Sequence, residues 1–92
     1  MGIIKTKDIK YSLQKKGFFE EIGDHLFYFY YIDDKKTEIY TKISHGEKEI
    51  DDFLISKMSK QLRLSKTQFI DLIRCSLSKE EYKEIVIQTL GL

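Results

Sequence analysis

The chain contains no proline, tryptophan, alanine or asparagine, and one cysteine in 92 residues. A single thiol, Cys75, excludes an internal disulfide and any clustered-cysteine zinc or iron–sulfur site, and points to a reducing, cytoplasmic setting. Long apolar runs are also missing. The longest stretches free of Lys, Arg, Asp and Glu are His25 to Ile32 and Ile85 to Leu92, far short of the ~20 residues a membrane span needs. No excess of one charge sign exists: 16 basic and 15 acidic residues leave a net charge of +1, which excludes a polycation gripping nucleic acid by bulk charge alone. Repeats, low-complexity tracts and linkers are absent as well. Residues 1–92 therefore read as one domain.

What is present is enough to build a core. Thirteen Ile, nine Leu and twelve aromatic residues supply the apolar surface, and disorder is excluded on that ground. Charge is uneven along the chain: Lys5, Lys7, Lys10, Lys15 and Lys16 face only Asp8 in the first nineteen residues.

Local signals set the order of elements. Thr6 is placed to cap a first helix over about 6–16, with Asp8 in its first turn, an apolar stripe at Ile9 and Leu13 with Tyr11 beside it, and Gly17 at its end. Phe18 to Ile22 reads as a short strand stopped at Gly23. His25 to Ile32 is a near-continuous aromatic and branched strand. Asp33 to Lys36 makes a polar turn, and Thr37 to Ile43 alternates, with Ile39 and Ile43 inward. These two strands form a hairpin. A helix over about 51–62 follows, capped by Asp51 and carrying Leu54, Met58 and Leu62. Ser65 caps a third helix with Phe69 and Leu72, and Ser78 with Glu81 forms a capping box for a fourth. The result is an α+β domain: a three-stranded antiparallel sheet with helices on one face, and a C-terminal helical hairpin docked on it. The expected interior is Phe27, Phe29, Ile39, Leu54, Met58, Leu62, Phe69 and Leu72, with Cys75 as a small core residue.

The two histidines are the residues most suited to chemistry near neutral pH. His25 opens the long strand and His45 follows the next. A hairpin in which paired positions sum to 70 puts them opposite each other; a sum of 69 puts His25 opposite Ser44. Both registers bring them to the same end of the sheet. No third residue has a metal-ligand spacing, so no metal or cofactor is expected. Tyr28, Tyr30 and the lysines Lys7, Lys10 and Lys42 are candidates for stacking bases and holding phosphate.

Several spaced features resemble the HicA toxin family. They are Gly17-Phe18 after the first helix, Gly23, Asp24 and His25 opening an aromatic strand, and a later strand ending in Ser44, His45 and Gly46. Lys48, Glu49 and Ile50 then lead into a helix that closes on Leu62, Arg63, Leu64 and Ser65. The likeness covers residues 5–65; residues 66–92 are a helical extension beyond it. The resemblance implies a double-stranded-RNA-binding-like α-β-β-β-α frame. It also implies a metal-independent endoribonuclease, an mRNA interferase, acting on single-stranded mRNA with His25 as the catalytic histidine; His45, brought to the same end of the sheet by the hairpin, is the candidate for its partner. A HicB-type antitoxin would hold it inactive. Self-association is left open. Asp24 stands where the family has serine, and the net charge is low for an RNA-cutting toxin. The competing expectation is a non-catalytic RNA-binding or protein-interaction module of the same fold.

Overall fold

A computed structural model describes residues 3–74 and 76–91. Cys75, expected in the core, lies outside the described residues. Helix α1 spans Thr6–Lys15, followed by strands β2 (Phe18–Ile22), β3 (Leu26–Ile32) and β4 (Lys35–Ile43), then helices α2 (Asp52–Gln61), α3 (Lys66–Ile73) and α4 (Lys79–Leu90). Two short strands, β1 (Ile4–Lys5) and β5 (Glu49–Ile50), pair antiparallel and lead into α1 and α2. The main sheet is antiparallel in the order β2-β3-β4. The helices cover one of its faces. The fold is thus an α+β domain with four helices and a three-stranded antiparallel sheet.

Most helix ends follow local chemistry. Asp51 accepts the Leu54 N–H at 2.9 Å. Ser65 with Gln68 and Ser78 with Glu81 form complete capping boxes. Gly17 closes α1 at φ +101°, where an added Cβ would also press on the Tyr30 ring. Thr6 is the exception. The β1–β5 ladder carries the chain one residue further, so Lys5 holds the cap position without a side-chain bond. Thr6 is instead the first helical residue, buried, with its N–H donated to the Lys48 carbonyl at 2.9 Å.

The hairpin differs from its expected form in two ways. Its turn has two residues rather than four: Asp33 and Asp34 adopt φ 50° and 65° between the paired Ile32 and Lys35. That is a type I′ geometry, whose twist suits a two-residue hairpin and which aspartate tolerates. A bulge between Phe29 and Tyr31 then shifts the register, so that paired positions sum to 67 at the turn and 69 at the open end. The open end places Leu26 opposite Ile43, and His25 falls in line with Ser44. Ile39, Thr41 and Ile43 point inward as expected, but on β3 the inward residues are Leu26, Tyr28 and Tyr30. Phe27 and Phe29 are half-buried on the outer face, not in the core.

One continuous core joins sheet and helices. Ile9, Leu13, Tyr28, Ile39, Ile55, Leu62, Phe69, Leu72, Tyr82 and Val86 are fully buried in it. Phe18, Tyr30 and Tyr82 form an aromatic cluster with centroids 4.9–5.7 Å apart. Polar groups weld α1 to the helical extension. Ser12 Oγ donates to the Ile73 carbonyl at 2.6 Å, and the buried Lys16 ammonium donates to the Leu72 and Leu77 carbonyls. These are carboxyl-end groups of α3 and its following turn, where a cation also suits the helix dipole. Tyr11, at the edge of the expected stripe, is exposed instead.

On α2 the deepest residue is Ile55, and Leu54 is only half-buried. Ile55→Ala should therefore cost about 2–5 kcal/mol and Leu54→Ala less than half as much, measured by urea denaturation. Burial, aided at Tyr28 by the Glu20 carboxylate, holds the Tyr28 and Tyr82 hydroxyls far above their ordinary pKa, and burial raises Tyr30 as well. Their unfolded forms ionise near ~10. Stability tied to these three is therefore complete below that pH and lost as pH rises past it. An absorbance titration of the folded chain should show three of the six tyrosines resisting ionisation until unfolding, and urea midpoints should fall above pH ~10.

Candidate active site

The open end of the hairpin meets α2, and the two form a cleft of about 260 Å³. His25, Lys42, Ser44, Glu47, Lys57 and Gln61 supply its polar lining, over an apolar floor that includes Ile50 and Met58. Each arrives for a local reason. His25 follows the Gly23–Asp24 turn, closed by a Gly23 N–H bond to the His25 carbonyl at 3.0 Å. Lys42 is an outward residue of β4, directly opposite Phe27. Lys57 and Gln61 sit one turn apart on α2, four residues from each other and so on one face. The Gln61 carbonyl oxygen accepts the buried Thr41 hydroxyl at 2.6 Å, which orients its amide nitrogen as a remaining donor.

The cleft thus holds one imidazole, two ammonium groups and one carboxylate. His25 is half-buried, its ring set edge-on to Phe27 with centroids 6.2 Å apart. Neither Lys42 nor Lys57 joins an ion pair among the described residues. Such a set can oppose the charge of a phosphate diester and exchange a proton with a hydroxyl beside it.

His45 comes to the same end of the sheet but not into the cleft. Its Nε2–H donates to the Gly23 carbonyl at 2.8 Å. It therefore braces the turn that presents His25, and the expected pair of imidazoles over one substrate is not formed. Tyr28 and Tyr30 do not serve as stacking residues: they are 0% and 2% exposed, because the alternation along β3 turns them toward the helices. Lys7 and Lys10 lie outside the cleft, in a neighbouring hollow with Lys5 and Lys48. Glu47 lines both hollows, so the two are adjacent.

Sequence reading missed Lys57, Gln61 and Glu47. The first two carry a signal in their spacing, because they flank Leu54 and Met58 on one side of α2. Glu47 belongs to the irregular 44–48 segment and carries none.

Among the described residues, no group of three or more His, Cys, Asp and Glu is placed to hold a metal ion. No helix there is long and apolar enough to cross a membrane. No family model, curated protein or solved structure matches this chain.

Proposed function

We propose that the chain is a metal-independent endoribonuclease of the HicA type, cleaving single-stranded mRNA at the His25 cleft and silenced by a HicB-type antitoxin that covers it. The observation that carries this is the convergence of His25 with Lys42 and Lys57 on one cleft. The residue order α1-β2-β3-β4-α2 is in keeping with the double-stranded-RNA-binding-like frame that the resemblance implies.

In the reaction His25 takes the proton of a ribose 2′-hydroxyl as its oxygen attacks the adjacent phosphorus. The bond from phosphorus to the 5′ oxygen breaks, and that oxygen receives a proton from a lysine ammonium of the cleft. The products are a 2′,3′-cyclic phosphate and a 5′-hydroxyl. Lys42 and Lys57 oppose the negative charge that grows on the non-bridging oxygens. The hollow of Lys5, Lys7, Lys10 and Lys48 holds phosphates further along the strand. The acidic start of α2, Asp51 and Asp52, repels phosphate and argues against gripping a duplex at that helix end.

The test is incubation of the folded full chain with end-labelled single-stranded RNA in EDTA. Fragments ending in cyclic phosphate are expected. Intact RNA would overturn the cleavage reading. Binding without cleavage would return a non-catalytic RNA-binding module, the reading favoured by there being one imidazole in the cleft rather than two.

A further inference from the structure

The outer face of the sheet, which no helix covers, carries five aromatic rings. Phe27, Phe29 and Tyr40 form a contiguous patch, with Phe29 and Tyr40 centroids 5.2 Å apart at 28° and Phe27 and Phe29 6.0 Å apart at 24°. Phe19 and Tyr31 add a second pair on the β2 side at 4.7 Å. Tyr40 and Phe19 are 43% and 57% exposed, so these rings are open to a partner.

Charge is interleaved with the rings. The Lys36 ammonium lies 3.8 Å from the centre of the Phe29 ring and also pairs with Glu21 at 2.9 Å. Glu38 is paired with Arg63, which leaves Lys42 as a cation at the cleft end of the patch with no ion pair among the described residues. The patch runs into the cleft: the Phe27 ring meets the His25 ring edge-on, just before β3 begins, and Phe27 stands opposite Lys42 on β4.

We propose that this face is the base-stacking track of the same site, on which unpaired RNA bases next to the cleaved linkage lie against Tyr40 and Phe27 while Lys42 and Lys36 meet the phosphates. The inference rests on the RNA-cleaving reading above and deepens it by assigning the surface on which the unpaired bases of that substrate lie. A flat ring surface with cations among the rings fits bases and phosphates, which every sequence presents. The centre of a protein–protein interface is instead depleted of charge, whereas here an ammonium sits over the middle ring. Paired bases keep their faces stacked inside the helix and cannot use such a track.

The experiment is fluorescence anisotropy of a labelled single-stranded 2′-O-methyl RNA octamer, which cannot be cleaved, and of the same octamer in a duplex. Wild type is expected to bind the single strand more tightly than the duplex. Tyr40→Ala, a substitution at an exposed edge-strand position, should weaken single-strand binding about fivefold or more with an unchanged circular dichroism spectrum, and Tyr40→Phe should keep it. Lys42→Gln should lower the slope of log affinity against log salt by about one. Equal binding by Tyr40→Ala and wild type, preference for the duplex, or no binding at all would overturn the track. So would a wild-type dimer that Tyr40→Ala splits in sedimentation, which would make the face an interface between copies. If the octamer binds as described but unmodified RNA stays intact, the cleavage reading fails and the track stands.

Discussion

Replacing His25 with alanine is expected to slow RNA cleavage by about 10²–10⁴-fold, the usual contribution of a proton-transferring side chain, without unfolding the domain. The ring lines the cleft, half-buried, before the first residue of β3. Its loss removes an edge contact to Phe27 but no buried hydrogen bond. Thermal melts of the variant should then overlay wild type closely while single-turnover cleavage collapses. A variant that cuts as fast as wild type would show that the imidazole is not the proton acceptor.

His45 gives the contrast. On the proposed cleavage reading it is a positioning residue, acting through the Gly23 carbonyl to which its ring N–H donates. His45→Ala should lower the maximal rate less than His25→Ala, and should act on the rate more than on the half-saturating RNA concentration. His45→Gln, which can donate one N–H to the same carbonyl, should recover part of the loss. Failure of that rescue together with a loss equal to His25→Ala would place His45 in the chemistry itself.

Tyr82→Ala is expected to be the most damaging single change to the fold, costing about 3–5 kcal/mol, as for other large aromatic truncations in a core. Tyr82 is 0% exposed, packs on both Phe18 and Tyr30, and is the residue by which α4 reaches the sheet cluster. Its hydroxyl donates to the Leu62 carbonyl at 2.9 Å in the interior. Tyr82→Phe separates the two contributions. It keeps the ring and orphans the carbonyl, so it should cost about 1–3 kcal/mol. Urea denaturation of both variants checks this, and equal losses would show that the hydrogen bond rather than the packing holds α4.

Features written in a few adjacent residues were readable in the sequence. Asp51, Ser65 and Ser78 cap their helices because a short oxygen-bearing side chain before an apolar periodic stretch has few other uses. Gly17 ends α1 because its φ is one that side chains resist. The face of β3 was not readable. In Leu26, Phe27, Tyr28, Phe29, Tyr30 and Tyr31 every residue can be buried, so polarity gives no alternation, and only the bulge and the two-residue turn decide which side faces the helices. The β1–β5 ladder was hidden because two residues have no period. Within the site, His25 and Lys42 were legible by residue type and strand position. The spacing of Lys57 and Gln61 puts them on one face of α2, but which end of the sheet that face meets is set by tertiary packing.

Lys16 is one of five lysines among the first nineteen residues, yet its ammonium is buried against carbonyls of residues 72 and 77. The order of synthesis follows from this. As the ribosome makes the chain, α1 and the whole sheet emerge first, with a lysine and a serine facing inward and nothing to receive them. Their acceptors come 56 to 61 residues later. The domain closes only once residue 77 has left the ribosome, so a nascent chain carrying His25 and its cleft residues still lacks the support that holds α1 in place.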